Sequence, residues 1–153
     1  MLIISACLVG VNCKYNGGNN KNKKIYEIFK EGKVVPVCPE VLGGMDIPRI
    51  PCEIKSFSNK RRVINKEGKD QTQKFKRGAE KTLKIAKSIG AKKAIMKSRS
   101  PSCGFGKIYD GNFSNTLIKG NGITAELLNK NGIEIITEND LKNSKNYIMF
   151  NRN

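Results

Sequence analysis

The chain has 153 residues, of which 38% are hydrophobic and 27% charged, so it is long enough to bury a core as one domain. It contains no histidine, which excludes imidazole metal ligands, Cys–His nucleophile pairs and the Ser-His-Asp triad. No apolar stretch approaches the length of a membrane span. We predict a single domain over residues 1–153, in which residues 140–153 form a polar C-terminal tail, and no membrane partner.

The formal net charge of +16 raises the question of nucleic-acid binding, because clustered Lys and Arg release counterions from phosphates. The excess is mostly lysine, with six arginines, no tryptophan and 7% aromatic residues, so a binding face that interleaves cations with aromatic rings is not evident. We interpret the charge as a lysine-rich solvated surface. Binding of nucleic acid stays open but is not favoured. The positive charge also favours an attraction for small anionic substrates.

The N-terminal run over residues 2–6 is apolar and β-rich, which predicts a strand buried on both faces. Residues 2–7 resemble the end of a lipoprotein signal, but they lack a basic region and their apolar part is too short for one. We therefore expect a cytoplasmic protein.

Strand and helix patterns then alternate along the chain. The predicted elements are a helix capped by residue 19 or 20 and reaching about 31, a strand over 33–37, a loop over 41–51, a strand over 61–65, a helix from about 70 to 89, a strand over 93–97, a loop over 98–106, a helix over 123–130 and a strand over 133–137. This alternation predicts a three-layer, Rossmann-like α/β domain, with a mostly parallel sheet and helices on both faces.

Three of the five cysteines follow strands of this predicted sheet. Cys7 comes directly after the first strand, Cys38 comes directly after the second, and Cys103 lies in the loop after strand 93–97. Because parallel strands end at one edge of a sheet, we expect the three thiols to project from that edge. Free cysteines are often simply small buried residues, but these three also fit a thiolate site for a soft metal, meaning an iron–sulfur cluster, zinc or copper.

The number of ligands separates the chemistries of such a site. Four thiolates close a cluster or a zinc site, which then transfers electrons or supports the structure, whereas three thiolates leave one metal position open to a substrate atom. Cys13 is the main candidate for a fourth ligand, and Cys52 is interpreted as an incidental thiol.

Several motifs together resemble the TudS-like thiouracil desulfidases, a family long described only as a domain of unknown function. The matching segments are residues 5–10 (SACLVG), 13–17 (CKYNG), 38–40 (CPE) and 100–104 (SPSCG), within a resemblance that spans about residues 2 to 138. The resemblance implies a 4Fe-4S cluster on Cys7, Cys38 and Cys103. It also implies an enzyme that cleaves a C–S bond, a lyase, converting a thiolated pyrimidine base, nucleoside or nucleotide into its uracil form and hydrogen sulfide without net electron transfer.

Proton transfer in such a reaction needs a base, and a chain without histidine must use a carboxylate or a lysine. Glu40, two residues after a predicted ligand, is our predicted general acid and base. Ser102, beside another predicted ligand, is predicted to hydrogen-bond the incoming water or the substrate oxygen. Arg49 and Arg99 are predicted to anchor a uracil oxygen or a phosphate.

Two other functions remain open from the sequence. One is a binding module without catalysis, which carries zinc or a cluster on its cysteines and binds RNA through its basic surface with salt-dependent affinity. The other is a redox or sulfur carrier that uses Cys7 and Cys13 as a dithiol, which predicts a disulfide between them and activity without any metal.

Overall fold

The computed structural model describes residues 1–142. Its strands are β1 (Leu2–Ser5), β2 (Val34–Val37), β3 (Cys52–Phe57), β4 (Lys60–Asn65), β5 (Lys93–Met96), β6 (Lys107–Tyr109), β7 (Leu117–Lys119) and β8 (Glu134–Thr137). Its helices are α1 (Lys23–Lys30), α2 (Pro39–Leu42), α3 (Thr72–Ser88) and α4 (Ile123–Lys130), with one-turn 3-10 helices at Ala6–Val9 and Asp140–Lys142. Within the described residues, no helix is long and apolar enough to cross a membrane.

Four strands form the central sheet, in the order β2-β1-β5-β8, and each neighbouring pair is parallel. Ile3 in the middle of β1 lies in register with Val35 on one side and with Ala94 on the other. The chain passes from β1 to β2 on one side and then crosses back to β5 on the opposite side of β1. This change of direction opens a crevice at the carboxyl ends of β1 and β5.

Successive residues of β1 point to opposite faces of the sheet, which gives the fold three layers. On one face, Ile3 lies in an apolar cluster with Ala86 of α3 and Leu128 of α4. On the other face, Ile4 lies in a cluster with Ile25 of α1. All five side chains are fully buried. The predicted α/β fold, with a parallel central sheet and helices on both faces, is confirmed.

Two antiparallel hairpins, β3–β4 and β6–β7, lie outside the central sheet. The predicted strand over 61–65 is β4, but it pairs with β3 rather than joining the parallel sheet. Sequence analysis does not predict β3, β6 or β7. The last three residues of β3 are all exposed and β6 and β7 have three residues each, so none shows a sustained alternation of apolar and polar residues.

The predicted starts of two helices shift by a few residues. Helix α1 is capped by Asn22, whose side chain accepts the N–H of Ile25 at 3.2 Å, rather than by residue 19 or 20. The Asn19 side chain is instead used within the preceding loop, where it accepts the N–H of Lys21. Helix α3, predicted from about residue 70, begins at Thr72, whose N–H is accepted by the Asp70 side chain at 2.8 Å. A cluster of Asn and Asp before a helix thus offers several caps, and backbone geometry selects among them.

Helices α2 and α3 cross at a contact between two glycines. A Cβ on Gly43 would overlap the carbonyl oxygen of Lys74, and a Cβ on Gly78 would overlap that of Pro39. Since α2 directly follows Cys38, this contact fixes how closely that cysteine approaches the rest of the fold.

We expect Gly78→Ala to destabilise the protein by about 2 kcal/mol, because α2 must move away from α3. At a solvent-exposed position inside a helix, the same change stabilises the protein by about 1 kcal/mol. The sign of the change in stability therefore shows whether α2 packs tightly against Gly78. Anaerobic thermal unfolding measures it, with Lys76→Ala at an exposed position of α3 as the control. A higher melting temperature for Gly78→Ala would contradict the tight crossing.

Candidate active site

A cleft of about 570 Å³ opens where β1, β2 and β5 reach their carboxyl ends. Its wall includes all five cysteines of the chain. The structure therefore brings Cys7, Cys38 and Cys103 to one edge of the sheet, as the strand order requires.

The turn after β1 holds Cys7 in place. The one-turn helix Ala6–Val9 ends at Gly10, whose φ of 97° lies in the left-handed region that favours glycine. The carbonyl of Cys7 accepts the N–H of Gly10 at 3.3 Å and that of Asn20 at 2.9 Å. The second bond folds the intervening loop back over the strand end, so that Cys13 also lines the cleft.

Cys38 joins β2 to α2. Its backbone is extended, with φ −117° and ψ 101°, and the helix begins at the next residue, Pro39, which suits the first position of a helix. Its carbonyl accepts the N–H of Leu42 at 3.0 Å. The Cys38 Sγ donates to the carbonyl of Cys13 at 3.7 Å. This hydrogen bond joins Cys38 to the loop that carries Cys13.

Cys103 lies in a turn built around Ser100. The Ser100 hydroxyl accepts the N–H of Ser102 at 3.1 Å and that of Cys103 at 3.0 Å, and its carbonyl accepts the N–H of Gly104 at 2.8 Å. A Cβ on Gly104 would lie 2.6 Å from the Ser100 carbonyl oxygen, so the turn excludes larger residues. Cys103 is buried at the base of this turn.

The thiols of Cys7, Cys13 and Cys38 interact directly. The hydrogen bond from the Cys13 thiol lowers the pKa of Cys38 to about 7, and it also lowers the pKa of Cys7, against the opposing effect of burial. The same contacts raise the pKa of Cys13. Burial raises the pKa of Cys103. Cys7 and Cys38 are thus the thiols of this group that ionise most easily, and Cys13 can donate its one S–H proton to either of them.

Glu40 lines the cleft from the first turn of α2, and Arg49 holds it there. The Arg49 Nε donates to Glu40 Oε1 at 3.4 Å, and the two side chains are 5% and 17% exposed. Burial raises the pKa of the Glu40 carboxyl, while the charge of Arg49 acts in the opposite direction. Arg49 also donates from Nη2 to the carbonyl of Cys13 at 2.8 Å and from Nη1 to that of Asp46 at 3.0 Å. Its guanidinium therefore fastens the loop around Cys13 to the carboxylate.

The other two predicted site residues have contrasting positions. Arg99 is exposed on the wall of the cleft and makes no ion pair with residues 1–142. Ser102 is completely buried and does not line the cleft; its hydroxyl is 3.1 Å from that of Thr124 in α4. The Ser102 carbonyl accepts the N–H of Thr124 at 2.9 Å and that of Ala125 at 3.1 Å. Ser102 thus anchors the Cys103 turn to the start of α4.

Several cleft residues escape sequence analysis. Lys97 directly follows β5, and its Nζ donates to Glu138 at 2.6 Å; its position after a strand is a signal that could have identified it. Cys52, interpreted as incidental, lines the same wall, and burial raises its pKa to about 12. Others come from the two hairpins or directly follow one of them, namely Glu53, Lys66, Tyr109, Phe113 and Asn115.

The donor atoms of the cleft suit an iron–sulfur cluster. Thiolates are soft ligands that such clusters prefer, and three of them come from three neighbouring parallel strands. Among residues 1–142, no group of three or more Cys, Asp or Glu side chains is arranged to hold a single metal ion. A cluster instead takes one thiolate on each of several irons, and the separate origins of Cys7, Cys38 and Cys103 are compatible with that arrangement.

Residues 2–140 match the family described as 2-thiouracil desulfurase. The chain belongs to this family. Its match spans all five cysteines and both hairpins, and it confirms the resemblance carried by the cysteine motifs.

Two relatives extend the comparison with the 2-thiouracil desulfurase family. YbbK of Bacillus subtilis (strain 168), an uncharacterized protein, is 42% identical over 147 residues, covering 92% of this chain and 97% of YbbK. A solved structure, that of the [4Fe-4S]-dependent thiouracil desulfidase TudS, is 34% identical, covers 97% of this chain and 96% of its own, and superposes with a TM-score of 0.86. The fold described above thus has the same architecture as that [4Fe-4S]-dependent protein.

Proposed function

We propose that this protein is a [4Fe-4S]-dependent desulfidase that replaces the sulfur of a thiouracil-type substrate by oxygen and releases hydrogen sulfide. The observation that carries the proposal is the convergence of Cys7, Cys38 and Cys103 in one cleft at the carboxyl ends of three parallel strands. Membership of the 2-thiouracil desulfurase family and the likeness to TudS support the same function. Nothing in the family match favours an RNA-binding module or a dithiol carrier.

Cys7, Cys38 and Cys103 would hold the cluster, and Cys13 would remain a free thiol that donates its one S–H proton to Cys7 or Cys38. With three protein ligands, the cluster supplies an open iron, a Lewis acid suited to the soft sulfur of a thiocarbonyl. The chain contributes the enclosure, since Cys7 and Cys103 are at most 8% exposed.

The substrate would be a thiolated pyrimidine base, nucleoside or nucleotide. Arg99 is free to meet its oxygen or phosphate, because it is exposed on the cleft wall and has no ion pair within residues 1–142. Arg49, also predicted as a substrate contact, is already engaged by a carboxylate and two carbonyls. We therefore assign Arg49 the task of positioning Glu40.

Glu40 would carry the protons. The net reaction exchanges C=S for C=O with one water and yields hydrogen sulfide, so no electrons enter or leave, but both protons of water must be moved to sulfur. A carboxylate in the cleft, held by Arg49 at 3.4 Å, can accept a proton from the attacking water and return it to the departing sulfur. Ser102, predicted to touch water or substrate, would act instead by fixing the Cys103 turn through Thr124.

The proposal also includes a location in the cytoplasm. A cluster with an open iron is sensitive to oxygen, and the five cysteines pair in no disulfide among the described residues, which suits the reducing cytoplasm. We further propose that residues 1–153 act as a single domain and that the enzyme is a lyase.

Anaerobic purification and reconstitution test the function directly. We expect a brown protein with about four irons and four sulfides per chain, which converts thiouracil into equal amounts of uracil and sulfide. The two products are measured separately, by chromatography and by a colorimetric sulfide assay. A colourless protein that carries zinc, or a loaded cluster that releases no sulfide from thiouracil, would overturn the proposal.

A further inference from the structure

The loop over residues 110–116 joins β6 to β7 and forms part of the cleft wall. Phe113 at its centre and Asn115 near its end line the cleft, as does Tyr109, the last residue of β6. The loop comes from a hairpin outside the central sheet, and it contains none of the residues that hold the cluster or carry protons in the proposed function.

A single carboxylate holds this loop against the neighbouring hairpin. Glu53 Oε1 accepts the N–H of Gly111 at 3.0 Å and that of Phe113 at 3.1 Å. A Cβ on Gly111 would lie 2.7 Å from the carbonyl oxygen of Ile54, so the loop also packs directly on β3. Glu53 itself lines the cleft, and its second oxygen accepts no hydrogen bond from the side chains and backbone of residues 1–142.

The loop backbone is strained at the residues that reach the cleft. Phe113 has φ 53° and Asn115 has φ 57°, in the left-handed region that a bulky side chain such as phenylalanine rarely adopts. Strain of this kind, as at Phe113, concentrates at functional sites. The Asp110 side chain, which accepts the N–H of Asn112 at 2.9 Å, and the Glu53 carboxylate hold the loop in this conformation.

We propose that Glu53 and the 110–116 loop form the part of the cleft that recognises the pyrimidine ring. This inference rests on the proposed function. A thiolated pyrimidine is a flat ring with N–H donors on its edge, and an aromatic side chain provides a stacking surface for such a ring. Phe113 is the stacking residue, and Glu53 is a positioning residue that sets the place of Phe113 through two backbone amides.

The stacking residue is tested in the holoenzyme. Phe113→Ala should raise KM for thiouracil about tenfold, and it should weaken binding of uracil, the product, by a similar factor in anaerobic calorimetry. Phe113→Tyr, which keeps the ring, should restore both values. The control is Phe57→Ala, which removes an exposed aromatic ring from the tip of the β3–β4 hairpin, outside the cleft.

The positioning residue is tested by a pair of variants. Glu53→Ala should raise KM about tenfold, because two backbone N–H groups lose their acceptor and the loop leaves its strained conformation. Glu53→Gln retains a carbonyl oxygen for both amides, so its KM should stay within about threefold of the wild-type value. Iron content and kcat should change little in either variant.

The outcomes separate this inference from the function on which it rests. Wild-type protein that turns over thiouracil, together with unchanged KM and uracil affinity in Phe113→Ala, would overturn the recognition role and leave the function standing. A loss of iron in Glu53→Ala would also overturn it, since the loop would then support the cluster rather than the substrate. If the wild-type enzyme with its cluster in place releases no sulfide, both the proposed function and the recognition role are wrong.

Discussion

Cys7→Ala, Cys38→Ala and Cys103→Ala are each expected to remove the iron–sulfur cluster and to lower desulfidase activity at least about 1,000-fold. Each substitution deletes one of three thiolates that come from separate strands, and the cleft offers no imidazole to replace it. Iron and sulfide analysis after anaerobic reconstitution, with the visible spectrum, measures the loss independently of activity.

The two remaining cleft cysteines provide matched controls for this series. Cys13→Ala and Cys52→Ala also remove a buried thiol from the same cleft, but we expect both to keep about four irons per chain. Cys13 is the more stringent control, because its thiol contacts those of Cys7 and Cys38. If Cys13→Ala loses iron as completely as Cys38→Ala, the cluster has four protein ligands and the open position disappears.

The placement of these cysteines is the part of the site that sequence predicts best. Alternating strands and helices require a parallel sheet, and the carboxyl ends of parallel strands share one edge. Cys7 and Cys38 directly follow strands, so their convergence needs only the strand order. Cys103 is seven residues beyond the end of β5, and its return to the edge depends on the Ser100 turn. The residues of this segment predict a turn, but they do not predict the direction in which the turn leads the chain.

Roles that depend on side-chain partners were beyond sequence analysis. Ser102 and Arg49 occur in the right motifs, yet the Ser102 hydroxyl pairs with Thr124 across 22 residues, and the guanidinium of Arg49 is engaged with Glu40, Asp46 and Cys13. Thr124 and Cys13 lie 22 and 36 residues from their partners, and no local pattern encodes such pairs.

The hairpin residues were missed for a different reason. Glu53 and Phe113 belong to short antiparallel strands and their loop, where the apolar alternation that marks a strand does not develop. Their interaction spans 60 residues, and it exists because the hairpins pack on each other beside the sheet. Sequence therefore predicts the cysteine end of the cleft better than the wall that would face the substrate ring.

Glu40→Gln is expected to lower kcat by about 100- to 1,000-fold while the cluster stays in place, because proton transfer by a positioned side chain contributes factors of this size. The substitution keeps the shape of the side chain and an oxygen that can accept from the Nε of Arg49, as Glu40 does, so the loop around Cys13 should hold its position. It removes only the capacity to take up and return a proton. Single-turnover release of sulfide from thiouracil, at saturating substrate, measures the chemical step.

The control for this variant is Glu126→Gln, which neutralises a carboxylate paired with Arg61 at 2.6 Å outside the cleft, and which should keep the wild-type kcat. Iron content and KM give the second criterion. A Glu40→Gln protein with full iron, an ordinary KM and a low kcat places the proton on this carboxylate. Full kcat in the same protein would contradict this role of Glu40 and would favour Lys97 as the base. Lys97 lies at the end of β5 in the same cleft, and lysine is the other kind of base available to a chain without histidine.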